Sequence, residues 1–326
     1  EISHSIASLQ ETFVNGLSRQ YSYVGNKLYA CPISPSAQVL FYRKDLFEST
    51  ALKRLYQETF KAKLAPPTTF DEYNRIARFF TKSINPQSPV DFGTTVTLGS
   101  TGVAGTEFLT RYFSHSNSLF DDSGAILLDA DAARKSLDEL IEAKRYSKSN
   151  YCPWWTYAAQ EFSDGNVAMT ILYSNFASEI LNRNSKVVNR IGYALVPGGS
   201  PIIGGGSMGV SRFSRNPELA LSFIEWMCGE PIASASMQLG SVSACKRAYE
   251  NYEVIDTYPW LELAKDSFAL SANHRTPYKD FAPFDERRFL GILGHEVKNA
   301  YIGALSSVEA LDKAKRNYEK QFNARS

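Results

Sequence analysis

Trp154-Trp155-Thr156-Tyr157, continued by Gln160-Glu161-Phe162-Ser163-Asp164-Gly165-Asn166-Val167-Ala168-Met169-Thr170-Ile171, sets three aromatic residues ahead of a helix-like segment, a glycine turn and a short β-type run. Strands elsewhere are also few, short and scattered among helices, and this alternation predicts an α/β architecture. The aromatic faces offer flat, polarisable, apolar surface, which suits the C–H face of a sugar ring better than a charge does. No residue here has the neighbours a catalyst needs. Binding is the first reading.

Around this stretch the chain reads as a series of short elements. Ile2, Ile6, Leu9, Phe13 and Leu17 stand near helical spacing and predict an amphipathic helix over residues 1–22. Gly25-Asn26 is a turn before a short strand, Lys27–Pro32; Ser34-Pro35-Ser36 breaks the pattern, and Val39–Tyr42 reads as strand again. Thr69 and Glu72 form a capping box that opens a helix running to about Lys82. Asp121-Asp122-Ser123-Gly124 is a turn, and Asp129 or Asp131 caps the helix bearing Leu137, Leu140 and Ile141. Val187–Val196 and Met208–Arg212 read as strands. Pro217 starts a strongly apolar helix in which Trp226 reads as core. Ser306 and Glu309 make a second capping box.

Bulk properties bound the function. With 326 residues there is length for two lobes, and 44% hydrophobic against 21% charged residues is ordinary for a globular protein. Thirty-five basic and 34 acidic residues leave a net charge of +1, so nothing global favours nucleic acid or an acidic membrane. Lys313, Lys315, Arg316 and Lys320 alternate with Asp312 and Glu319, the pattern of a solvated helix face. Cys31, Cys152, Cys228 and Cys245 show no ligand-like spacing with His4, His115, His274 or His295, so no metal site is expected; buried thiols and disulfides both stay open. No apolar run has the roughly 18 residues of a membrane span, and no basic start followed by an apolar stretch marks a signal peptide.

Two motifs overlap at one place. Gly204-Gly205-Gly206-Ser207-Met208-Gly209 satisfies GxGxxG, but a β-like run follows where a dinucleotide site needs a helix. The same residues satisfy GxSxG, which would make Ser207 a nucleophile with Asp280 and His295 downstream in hydrolase order. The helix is missing for that reading too, so the glycines are read as points of close backbone approach.

Tyr29-Ala30-Cys31-Pro32-Ile33-Ser34-Pro35-Ser36-Ala37-Gln38-Val39-Leu40-Phe41-Tyr42-Arg43-Lys44-Asp45-Leu46-Phe47 resembles the segment Y-G-x-P-x-S-x-S-A-x-x-L-x-Y-N-K-D-L-F of extracellular solute-binding proteins of family 1, the receptors of carbohydrate ABC importers. Pro66–Glu72 resembles their P-P-x-T-W-D-E, and Phe162–Met169 their F-x-x-G-x-x-A-M. Pro197-Gly198-Gly199, Gly204-Gly205 and the helix Asn216–Gly229 follow in the family's order. The resemblance runs from about residue 24 to the end.

It implies a two-lobe clamshell of the periplasmic-binding-protein type II, closing on a sugar or polyol and read by a membrane permease, with no catalytic residue, metal or cofactor. The ligand-binding residues it implies are Ser36 at the first crossing, Trp155, Asn175, Gly204, Gly205, Ser207 and Arg247; Gln38, Trp154, Tyr157 and Tyr173 complete the expected site. Asn175 stands where many members have a Trp, which shifts stacking to Tyr173 or implies a different ligand. Family members carry further strands before the Y-G-x-P segment. The expected first lobe, 1–36 and 200–251, is therefore incomplete beside a second lobe of 37–199 and 252–326, as in a fragment or a chain completed by another. The implied location is extracellular, as a periplasmic protein or a cell-surface lipoprotein held by an anchor outside this chain. A sensor domain of a signalling or transcription-regulating protein is the alternative, and a serine hydrolase using Ser207 the remote one.

Overall fold

The structure, a computed structural model, describes residues 4–148, 151–271 and 285–322. Ile2, His274 and Asp280 lie outside them. The chain divides into two compact units, the first Glu1–Val39, Tyr173–Asn175 and Pro201–Phe284, the second Leu40–Leu172, Phe176–Ser200 and Asp285–Ser326. Helices supply most of both, and among the described residues six strands thread between them: β1 (Tyr23–Val24), β2 (Lys27–Leu28), β3 (Cys31–Arg43), β4 (Met169–Tyr173), β5 (Ile191–Ala194) and β6 (Ile203–Met208).

In the first unit the expected opening helix is broken. His4–Leu9 and Leu17–Ser22 are helical, but Phe13 is extended and bridges Cys245, and the Val14 N–H donates to the Ala244 carbonyl at 2.8 Å. Tertiary pairing outbids local helical spacing there, while Ile6, Phe13 and Leu17 still end buried. Gly25 turns the β1–β2 hairpin with φ +60°. The unit also holds the helices Tyr252–Thr257 and Trp260–Ser271, past the 251 boundary read from the sequence. The Ser267 hydroxyl reaches the Gln38 carbonyl at 3.4 Å, and Trp260 and Phe268 are buried.

β3 is longer than its prolines suggested. Ser34-Pro35-Ser36 does not interrupt it: Cys31–Ala37 pair antiparallel with β6, with a register shift between Pro32 and Ser34. A bulge is where a strand tolerates residues that lack an N–H. β6 in turn lies earlier than the expected Met208–Arg212, and the glycine cluster itself is the strand. The apolar helix Pro217–Cys228 begins at its proline as read, yet Trp226 is 56% exposed, beside an exposed Phe223 at 5.7 Å between rings. Trp226 is therefore not core: this helix buries Ile224 and Cys228 and turns Leu219, Phe223 and Trp226 outward.

In the second unit Leu40–Arg43 of β3 pair antiparallel with Ile191–Ala194 of β5, and β4 takes the other flank of β3. Leu40, Phe47, Tyr56, Phe70, Phe79, Phe80 and Met169 form one buried cluster, in which each large side chain contributes about 2–3 kcal/mol by leaving water. The helix Phe70–Phe79 opens as its capping box predicts, with the Thr69 hydroxyl accepting the Glu72 N–H at 3.2 Å. The Glu72 carboxylate reaches back one residue further than the simple motif, to the N–H and hydroxyl of Thr68, both at 2.8 Å. The second box, Ser306 with Glu309, starts the helix Ser307–Phe322. Asp129 caps nothing; it holds Lys315 at 2.7 Å, and Ala130 precedes the helix Asp131–Ala143.

At the end of β3 the buried Arg43 guanidinium clasps Asp45 through two bonds of 2.8 and 2.6 Å. Burial works against the Asp45 charge, but the Arg43 hydrogen bonds and charge outweigh it and hold its pKa below the ordinary value. A carboxylate with a depressed folded-state pKa stabilises the fold above its unfolded value of about 3.9 and loses that contribution as pH falls through the folded one. Denaturant melts of wild type and Asp45→Asn should thus differ most at about pH 6 and converge toward about pH 3. A constant difference across that range would show that the ion pair is not the source.

Candidate functional site

The residues expected to meet a ligand fall into two groups, one in each unit. In the second unit the aromatic group is built on the start of the helix Trp155–Ser163. The chain reaches it along a clamped segment: the Cys152 N–H donates to the Val96 carbonyl at 2.8 Å, and the Leu98 N–H to the Cys152 carbonyl at 3.1 Å. Gly99 packs so tightly that a Cβ there would sit 1.7 Å from the Pro153 carbonyl oxygen. Lys298 fixes the same turn, its ammonium donating to the Gly99 carbonyl at 2.7 Å.

Trp154 is extended, with φ −151° and ψ 161°, and Trp155 is the first helical residue. This change of conformation lets both rings meet, edge to face at 4.7 Å, where a continuous strand would have sent them to opposite sides. Phe176 adds a third ring, 6.3 Å from Trp155. Trp154 is 45% and Tyr157 59% exposed, so aromatic surface remains open to solvent. No side chain caps the helix, and the Tyr157 N–H donates to the Trp154 carbonyl at 3.0 Å. The neighbouring Cys152 thiol is pushed up to about 12 by burial and stays neutral. The enclosed space beside it, about 10 Å3, has the size of a single water.

In the first unit, β3 and β6 present the second group. Ser36 is opposite Gly204 in the ladder. Its buried hydroxyl donates to the Asn175 side-chain oxygen at 2.7 Å and lies 3.3 Å from the Ser174 hydroxyl, which itself accepts the Ala37 N–H at 3.2 Å. Asn175 is the exposed member of this cluster, its carboxamide oriented by Ser36. Tyr173 is buried; its ring lies under Gly204, where a Cβ would come within 2.8 Å.

Gln38 is 3% exposed, and its side-chain oxygen accepts the Ile202 N–H at 2.9 Å while its own N–H donates to the Ile202 carbonyl at 3.1 Å. It frames the approach to β6. Ser207 is exposed, and its hydroxyl donates to the Tyr21 carbonyl at 2.8 Å; the Tyr21 hydroxyl donates in turn to the Gly204 carbonyl. Ser207 sits within a strand opposite Pro32, so the strand-to-helix elbow of a nucleophilic serine is not formed. Arg247 is exposed on the short 3-10 turn Lys246–Glu250. Tyr21, Ser174 and Phe176 stand against the expected residues, and spacing could not single them out, since each takes its place only through tertiary pairing.

These features belong to an α/β fold that presents open aromatic surface. Residues 5–259 match the family of bacterial extracellular solute-binding proteins, and the chain belongs to that family. The family's members are solute-binding receptors rather than enzymes. The fold is shared with maltose-bound MalE3 of T. maritima, at a TM-score of 0.78 and 17% identity over 99% of this chain and 80% of that one. It is shared too with an ABC transporter solute-binding protein of Agrobacterium radiobacter K84 in complex with ribitol, at a TM-score of 0.80 and 21% identity over 97% and 77%. A curated relative, a probable amino-acid ABC transporter periplasmic-binding protein of Sinorhizobium fredii, is 22% identical over 293 residues. The match takes in 89% of this chain and spans 63% of that relative's length. No helix among the described residues is long and apolar enough to cross a membrane.

Gly205 tests the strand assignment. Its φ is +103°, and a Cβ there would lie 2.1 Å from the Ser34 carbonyl oxygen, whereas one on Gly206 would meet nothing within 4 Å. Gly205→Ala should therefore lower the unfolding free energy by about 2 kcal/mol, with Gly206→Ala within about 1 kcal/mol of wild type. Equal effects in urea melts would contradict the pairing of β3 with β6.

Proposed function

We propose that this chain is the ligand-capturing receptor of an ABC importer for a neutral carbohydrate or polyol, with no catalysis of its own. The observation that carries the reading is the pairing of the exposed Trp154 with the half-buried Trp155, extended by Phe176 at 6.3 Å. Such a wall binds C–H faces by dispersion and polarisation and carries no formal charge. The Ser36–Ser174–Asn175 cluster supports the same reading, because it orients an exposed carboxamide toward hydrogen bonding without bringing a formal charge. The structural relatives are described as bound to maltose and to ribitol. The name of the curated relative points instead to amino acids. The carboxylate of an amino acid needs a cationic or hydrogen-bonding partner, which Trp154, Trp155, Tyr157 and Phe176 do not offer by formal charge.

Ligand capture acts by stabilising a binding-competent conformation that a membrane permease recognises, so affinity and signal come from the same population shift. Polyols, mono- and disaccharides and amino acids should be compared by titration calorimetry and thermal melting. A polyol or sugar is expected to raise the melting temperature, and Trp155→Ala to weaken its binding about tenfold, or about 1.4 kcal/mol. The unliganded melting temperature of that variant reports whether it still folds. Binding of an amino acid in place of a sugar would overturn the ligand class. Unchanged sugar affinity in Trp155→Ala would overturn the aromatic wall.

A further inference from the structure

The four cysteines are buried, and two of them meet. Cys31 opens β3 and Cys228 closes the helix Pro217–Cys228, both in the first unit. The Cys228 sulfur lies 3.6 Å from the carbonyl oxygen of Pro32, the residue after Cys31, which brings the two buried thiols side by side. Gln10 completes the arrangement by donating its side-chain N–H to the Cys31 sulfur at 3.4 Å. Cys152 belongs to the second unit, and Cys245 bridges Phe13. A structural thiol needs only apolar neighbours; here two sulfurs are set against each other with a donor aimed at one of them. The family is extracellular by description, and disulfides persist in such compartments.

We propose that Cys31 and Cys228 are a redox pair that closes into a disulfide, fastening the start of β3 to the end of the helix Pro217–Cys228. Either thiol can open the exchange; written for Cys31, its thiolate is the nucleophile. It attacks one sulfur of a disulfide oxidant, glutathione disulfide or the disulfide of an oxidoreductase, whose other sulfur leaves as thiolate. Cys228 then loses its proton and attacks the Cys31 sulfur of the mixed disulfide, expelling the second oxidant sulfur. Two protons and two electrons leave the cysteine pair, and the oxidant ends as two thiols. Because both sulfurs are buried, the exchange precedes final packing of the helix onto β3. The bond closes a long loop and anchors the strand on which Ser36 and the β6 pairing are arranged.

The full chain should be refolded with glutathione disulfide or with dithiothreitol, alkylated under denaturing conditions and digested without reduction for mass spectrometry. The expected result is protection of two thiols, a cross-linked peptide joining residues 31 and 228, and alkylation of Cys152 and Cys245. The oxidised chain should melt about 5 °C or more above the reduced one, and a Cys31→Ala/Cys228→Ala variant should lose that redox dependence. A Cys152→Ala/Cys245→Ala variant should keep the cross-link, and it carries the test if the first variant does not fold. Four alkylated thiols after oxidation, glutathione retained on Cys31 alone, or a link between other cysteines would each overturn the proposal.

Discussion

The need to satisfy the backbone of one buried strand organises this protein. β3 runs for 13 residues and is buried at nearly every position. An N–H or C=O removed from water without a partner costs about 1–3 kcal/mol, so a strand of this length cannot exist without neighbours along it. β6 answers its first half and β5 its second, with β4 on the remaining flank. Side chains complete the accounting where the ladder ends: the Ser174 hydroxyl takes the Ala37 N–H, and the Gln38 oxygen takes the Ile202 N–H. The polar residues of the first-unit candidate site are thus partly the devices that finish a sheet.

That double duty separates the two groups of candidate residues. Ser36, Gln38, Tyr173 and Ser207 are already committed to hydrogen bonds or to packing within the first unit. Asn175 and the aromatic group at Trp154, Trp155 and Tyr157 retain exposed surface. The aromatic group is held from beneath by close backbone packing at Gly99 and by the Lys298 bond. A rigid platform limits the entropy lost when a ligand binds.

Much of the architecture was legible in the chain itself. Capping boxes act through atoms three residues apart, so Thr69–Glu72 and Ser306–Glu309 mark helix starts that do form. Pro217 likewise marks a helix start that needs no distant partner. The order of motifs from Tyr29 to Gly229 pointed to the solute-binding family to which residues 5–259 belong. Local rules misled where the competing force was distant. The run ending at Ser22 has helical spacing, but pairing of Phe13 and Val14 with residues 244 and 245 breaks it. Gly204–Gly206 look like a loop or a phosphate cradle until β3 and the Tyr173 ring are laid against them. Trp226 has the residues of a core helix around it, yet faces outward.

By itself the sequence determined the class of fold, the helix starts, the family and the residue types on offer to a ligand, because each of these rests on short-range chemistry or on a pattern written along the chain. Only the tertiary structure decided which of those residues remain available. Tyr173 and Gln38 are absorbed by close packing and backbone pairing, Phe176 joins Trp155, and Cys228 comes against the start of β3 from nearly two hundred residues away. The physical reason is that exposure and partnership are properties of the packed backbone, and packing is settled by contacts that no local spacing records.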